Sequence, residues 1–290
     1  MSIYTIKDLE RLSGVKAHTI RIWEQRYSFL KPKRSVTNIR FYSAEELKAL
    51  LNVALLNKHG YKISQIVKMN EAEAREKILS LTGQEVQLDQ KMNQLIFLMI
   101  ELDMEEFEIQ LDNVIAQNGI NHAILHLIFP FLERIGVLWL TDHINPAQEH
   151  LVSNIIRQKL LVGINSLEVN PNKIKTVILF LPEGELHEMG LLYIYYLLKK
   201  RGIGTLYLGA NLPLADLKFV ARLKRPDYII THLTTKSIPL QKFLQNYKKS
   251  LAGIPLVVSG KVTEGVTRKM PAGITICRTL QQLTDLVAAF

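Results

Sequence analysis

Residues 175–202 read KTVILFLPEGELHEMGLLYIYYLLKKRG, and their reading decides how the C-terminal part of the chain folds. KTVILF is a short apolar run, as expected of a buried strand. HEMGLLYIYYLLKKRG follows as a helix, with Leu191, Ile194, Tyr195 and Leu198 on its apolar side. Downstream the same grammar repeats. IGTLYLG, DYIITHL, IPLVVSG and GITICRT read as strands, and PLADLKFVARLKR, SIPLQKFLQNYKKSLAG and LQQLTDLVAAF as helices. Strands alternating with helices predict an α/β domain over 169–290, a doubly wound, parallel five-stranded sheet of flavodoxin-like or Rossmann-like type. Its crossovers are expected to be right-handed.

Ligands of such sheets bind beyond the carboxyl ends of the strands. His187 lies at that edge, just after the first strand. One neutral imidazole nitrogen can ligate a transition metal, while the other needs an orienting acceptor. Glu185 is the local acceptor, and Gly190 permits close approach of backbone or ligand. A single histidine does not make a zinc site, which needs several protein ligands. It can serve as one axial ligand to a metal already held in a macrocycle.

The rest of the 290-residue chain divides by charge. Residues 1–75 hold 14 Lys/Arg against 7 Asp/Glu, residues 88–168 hold 4 against 11, and residues 169–290 hold 17 against 7. A basic head and an acidic middle point to separate domains with separate partners. The single cysteine, Cys277, rules out a disulfide framework and a cysteine zinc cluster. MSIYTIKDLERL lacks the apolar core of a signal peptide, and no apolar run reaches 18 residues. A cytoplasmic protein without a membrane span is expected.

In the head, YTIKDLERLSGVKAHTIRIWEQRY reads as two short helices joined at Ser13-Gly14. Val15, Ile20 and Trp23 face inward, leaving Thr19, Arg21 and Tyr27 on or beside the exposed side. This is a helix-turn-helix pattern, whose second helix enters the major groove. FLKPKRSVTNIRFYS then gathers Lys31, Lys33, Arg34 and Arg40 around turn residues, as a small hairpin wing would. Ser43 and Glu46 cap the next helix, and GYKISQIVKM adds a last one with Ser64 as its cap. Residues 76–87 read as a short helical piece and linker. Residues 88–168 give four helical stretches, enough for a small four-helix bundle. There Trp139 either closes the bundle core or faces a ligand, and Glu149-His150 is either helix surface or site.

The head resembles the winged helix-turn-helix of the MerR family of transcriptional regulators, through YTIKDLERLSGVKAHTIRIWEQRY, FLKPKR and IRFYS. By that resemblance Thr19, Arg21 and Tyr27 contact DNA in and beside the groove, and Arg40 and Tyr42 do so from the wing. Family heads bind palindromic promoter elements as dimers. The partner implied is double-stranded promoter DNA with an inverted repeat, and the state a homodimer or higher homo-oligomer. Glu185-x-His187-x-x-Gly190 resembles the D-x-H-x-x-G signature of cobalamin-binding domains, in which the histidine displaces the nucleotide base and binds cobalt from below. Thr231-His-Leu233 is similar to the S-x-L that follows their third strand, and Ser259-Gly260 to the G-G after their fourth. These small residues border the channel for the nucleotide tail. Trp139-x9-Glu149-His150 resembles the cap motif of the light-sensing cobalamin branch of MerR regulators, where the bundle covers the upper face of adenosylcobalamin.

The resemblance therefore implies a multidomain regulator: a winged head over 1–75, a linker over 76–87, a bundle cap over 88–168 and a cobalamin-binding α/β domain over 169–290. His187 is the implied metal ligand. Glu185 replaces Asp, Thr231 replaces Ser, and Ser259 replaces Gly, so the carboxylate behind the histidine sits one methylene further out and the tail channel differs in shape. Some light sensors carry a histidine directly after the tryptophan; Leu140 stands there, with His143 nearby. The expected function is promoter binding controlled by cobalamin, through light-dependent or cofactor-dependent oligomerisation. The alternative is a regulator whose sensor domain holds no cobalamin and answers another small molecule or protein. No Ser/His/Asp set or phosphate-cradling loop stands out, so an enzyme is not expected.

Overall fold

A computed structural model describes residues 4–35, 38–80, 84–139, 144–168, 175–235, 238–267 and 270–290. The chain divides into two compact units, Met1–Ile156 and Arg157–Phe290.

The first unit opens with helices α1 (Ile6–Ser13) and α2 (Ala17–Tyr27). A capping box starts α1: Thr5 Oγ1 accepts from the Asp8 amide, and Asp8 Oδ2 accepts from the Thr5 amide at 2.5 Å. Leu9, Leu12, Ile20 and Trp23 are buried between these helices and α3 (Ala44–Lys58). Between α2 and α3, strands β1 (Lys33–Arg34) and β2 (Arg40–Phe41) pair antiparallel as the expected wing, with Arg34 opposite Arg40. Ser43 and Glu46 form the expected box at the start of α3. One expectation is corrected. Helix α4 (Ile63–Ile66) begins before Ser64, and its N-cap is Lys62, an extended residue that makes no side-chain cap.

Helices α5 (Glu71–Ser80), α6 (Gln84–Glu101), α7 (Met104–Asn118), α8 (Ile120–Ala123), α9 (Phe129–Trp139) and α10 (Pro146–Asn165) follow. The break expected at Leu102-Asp103 is present, and Asp103 caps α7 by accepting from the Glu106 amide. A π turn over Ile124–Ile128 joins α8 to α9. It lies directly before Pro130, which has no N–H to offer the carbonyl four residues back. Phe107 and Phe131 meet at 5.6 Å, and Leu111, Ile124, Leu127, Val152 and Ile156 of this helical region are buried as well.

The second unit contains the C-terminal part of α10 and a parallel sheet. Its strands are β3 (Thr176–Leu179), β4 (Gly204–Tyr207), β5 (Tyr228–His232), β6 (Leu256–Ser259) and β7 (Ile274–Ile276), in the spatial order β4-β3-β5-β6-β7. Helices α11 (Met189–Lys200), α12 (Leu214–Lys224), α13 (Leu240–Ser250) and α14 (Leu280–Ala288) connect and follow them. Leu217, Ala221, Leu244 and Tyr247 pack against Ile178, Phe180, Ile229, Leu233 and Val258 on one face. α11 and α14 lie together and α11 contacts β4 and β5. The strand order reverses between β3 and β5, so the crevice at their carboxyl ends is the site that this topology offers a ligand.

Candidate functional site

The loop after β3 carries Glu185 and His187 to that crevice. The Glu185 side chain is fully buried, whereas that of His187 is 63% exposed. Glu185 Oε1 lies 2.6 Å from His187 Nδ1 and accepts from the His187 amide at 3.0 Å. Oε2 accepts from the amides of Thr234 and Thr235 at 2.7 and 2.8 Å. One carboxylate thus ties the loop after β3 to the loop after β5, across the switch point. Burial works against its charge, but the His187 ring and the amides of Thr235, His187 and Thr234 outweigh it. They hold the carboxyl down at about 2. An ionised carboxylate only accepts, so Nδ1 of His187 carries the hydrogen and Nε2 is the nitrogen with a lone pair for a metal. This is the orientation expected from the sequence.

Beyond β5 and β6 the expected channel residues lie close together. Thr231 and Leu233 are buried on one face of the sheet, and His232 alternates to the other. Thr231 Oγ1 is buried and has no hydrogen-bond partner among the described residues. His232 pairs in register with Ser259, and Ser259 Oγ lies 3.0 Å from His232 Nδ1. Burial pushes the His232 imidazole down to about 4, with the charge of Glu185 pulling the other way. At Gly260, whose φ is 98°, a side chain would strike the Leu233 backbone at 2.4 Å. The Leu233 amide donates to the Ser259 carbonyl at 2.8 Å, and that close approach is what glycine allows. Gly190 is approached from within the chain, by His232.

Glu188, next to His187, is held as well. Arg157 of α10 donates to Glu188 Oε1, and Tyr207 donates to Oε2 at 2.8 Å. Tyr195 and Tyr207 stack at 5.3 Å. Sequence reading passed over Arg157, Tyr207, Thr234, Thr235 and His232. Only His232 left a signal, as the middle residue of a quoted motif.

In the head, Thr19 is half-buried, Arg21 exposed and Tyr27 half-buried on α2. Arg40 Nε donates to both carboxylate oxygens of Glu24 at 3.1 Å. Tyr42 is 1% exposed and donates to Glu24 Oε2 at 3.0 Å. Burial raises its hydroxyl well above the ordinary tyrosine value, and Glu24 adds to this. Glu24, unremarked in the sequence, therefore joins α2 to the wing. Lys31, Lys33 and Arg34 are the exposed cations there.

A model of the MerR helix-turn-helix family of regulatory proteins matches residues 4–73, and a model of a B12 binding domain matches residues 92–162. The HTH-type transcriptional repressor CarA of Myxococcus xanthus is 29% identical over 269 residues, covering 88% of this chain and 85% of that protein. The repressor CarH of the same organism is 26% identical over 266 residues, covering 89% and 88%. The chain resembles MerR-family regulators in its head and B12 binding domains over 92–162. The fold agrees with that of a monomethylamine corrinoid protein from Methanosarcina barkeri, at a TM-score of 0.54 and 13% identity. That match covers 69% of this chain and 99% of the other.

The match over 4–73 is to a DNA-binding regulatory head, and cobalamin is the group to which the match over 92–162 points. The second unit has features that suit such a group: an exposed imidazole with its tautomer fixed, and a buried Thr231 hydroxyl in want of a partner. In the helical unit, Trp139 is the last residue of α9, and its side chain is outside what is described. Leu140 and His143 lie outside the described residues. Glu149 ends the first turn of α10 and His150 follows it, with His150 Nδ1 3.3 Å from Glu149 Oε2 and its ring 73% exposed. Among the described residues no helix is long and apolar enough to cross a membrane.

Proposed function

We propose that this regulator binds an inverted repeat in promoter DNA as a cytoplasmic homodimer or higher homo-oligomer, and that adenosylcobalamin held through His187 sets its affinity for that DNA. The observation that carries the reading is the His187–Glu185 pair at the switch point. When bound, the cofactor would supply a coloured, light-sensitive cobalt centre able to take a protein nitrogen. Glu185 keeps the proton on Nδ1, and Nε2 offers its lone pair. Thr234 and Thr235 fix the carboxylate, so the imidazole is oriented before any ligand arrives. Thr231, Leu233, Ser259, Gly260 and Gly190 are assigned to the tail side. Trp139, Glu149 and His150 are assigned to the upper face, on the cap-motif resemblance and the B12 binding match over 92–162.

In the head, α2 enters the major groove with Thr19, Arg21 and Tyr27, while the wing follows the phosphates. Arg40 and Tyr42 act from inside the head, through Glu24, by holding the wing on α2. Control of DNA binding requires that cobalamin favour one assembly state over another. The testing experiment mixes the protein with adenosylcobalamin in the dark and removes unbound cofactor. The absorbance spectrum is then recorded before and after illumination. A retained corrinoid spectrum that changes with light supports the reading, and protein that emerges colourless overturns it.

A further inference from the structure

Gly190 stands in the first turn of α11, three residues after His187. A Cβ placed there would lie 2.3 Å from Nε2, 2.4 Å from Cδ2 and 2.8 Å from Cε1 of His232. The His232 imidazole therefore rests on the Gly190 backbone, and no larger residue fits without moving it. At its other edge, Nδ1 lies 3.0 Å from Ser259 Oγ. Ser259 Oγ donates to the Thr231 carbonyl at 3.3 Å, so it accepts from Nδ1–H of His232. A glycine floor thus seats one neutral heterocycle, and the Ser259 hydroxyl latches the ring now there through its Nδ1–H. The Ser259 departure from glycine and the histidine inside Thr231-His232-Leu233 belong together: one holds the other.

Cobalamin carries such a ring of its own, a benzimidazole on its nucleotide tail. Once a protein histidine takes the lower cobalt position, that base is detached and must lodge elsewhere. We infer that His232 is a displaceable occupant of the seat over Gly190, competing there with the nucleotide base, and so sets the preference between corrinoids with and without that base. The inference rests on the cobalamin reading. Two rings do not share one seat, so admitting the base means breaking the His232–Ser259 hydrogen bond and the ring's contact with Gly190. Cobinamide, a corrinoid without the base, makes no demand on the seat.

The test titrates wild type, His232→Ala and Ser259→Ala with hydroxocobalamin and with diaquacobinamide, following the visible spectrum, with far-ultraviolet dichroism as the check on folding. His232→Ala should bind hydroxocobalamin about tenfold more tightly, the scale of one seated hydrogen bond. Its affinity for cobinamide should not change. Ser259→Ala, which only unlatches the ring, should give a smaller gain in the same direction, and it answers the question if His232→Ala misfolds. Unchanged or weakened cobalamin binding in folded variants, or an equal shift for both corrinoids, would overturn the role of His232 while leaving the cobalamin reading in place. Wild type that binds neither corrinoid would overturn the cobalamin reading itself, and the inference with it.

Discussion

His187 and Glu185 are two residues apart, and the structure gives them unlike surroundings. The imidazole is largely exposed, whereas the carboxylate is buried under four hydrogen bonds. Replacing His187 with Ala should alter the visible spectrum of bound cobalamin and weaken its retention, with far-ultraviolet dichroism unchanged. An unaltered spectrum would refute the axial role. Glu185→Ala should do more than disorient a ring. It leaves the amides of His187, Thr234 and Thr235 without their acceptor, at a cost to stability of about 2–3 kcal/mol. Urea unfolding checks this, and a loss below about 0.5 kcal/mol would show that water replaces the carboxylate freely. The pairing of Glu185 with His187 was legible from spacing alone. The two threonine amides were not, because they come from a loop some fifty residues on whose approach depends on strand order. His232 gives a pH signature. Its folded value of about 4 lies below the ordinary 6.5, so the unfolded chain takes up a proton first as pH falls. Its contribution is fully present above 6.5 and is lost as pH drops toward 4, roughly 3 kcal/mol in all. The acid-side slope of stability between these values should be shallower in His232→Asn, and an unchanged slope would mean that the ring is solvated.

At the scale of elements, period and capping chemistry carried most of the fold. Each strand of the sheet was visible as a short apolar run, and Ser43 with Glu46 marked a helix start three residues apart. The reading failed where tertiary contacts decide. Ser64 looked like a cap, yet α4 starts a residue earlier, because Lys62 already has the extended backbone of an N-cap. Wing cations were visible as a group, but nothing local separated Arg40, drawn inward by Glu24, from Lys33 and Arg34, which stay exposed. These environments predict different defects. Lys33→Ala should weaken binding to all duplexes alike and lower the slope of log affinity against log salt by about 1. Arg40→Ala should also lower the melting temperature of the head, since it leaves Glu24 with the Tyr42 hydroxyl but without its cationic partner in the wing. Fluorescence anisotropy across a salt series, with a thermal melt of each variant, separates the two. Equal melts for both would contradict an inward role for Arg40.

For the whole molecule, the charge division anticipated distinct partners, and the matches to a MerR head and a B12 binding domain fall in the basic and acidic regions respectively. Within the second unit, Arg157 of α10 grips Glu188, the residue beside His187. The central claim is that cobalamin bound at His187 changes affinity for DNA. Its most direct test measures the affinity of the full chain for a duplex bearing the inverted repeat of its own promoter, in the dark, with and without adenosylcobalamin. Wild type and His187→Ala are compared at one fixed salt concentration. Wild type should change affinity at least about tenfold on loading, the scale of a coupling near 1.4 kcal/mol, and His187→Ala should show little or no change. Equal affinity of loaded and unloaded wild type, with the cofactor demonstrably bound, would contradict it.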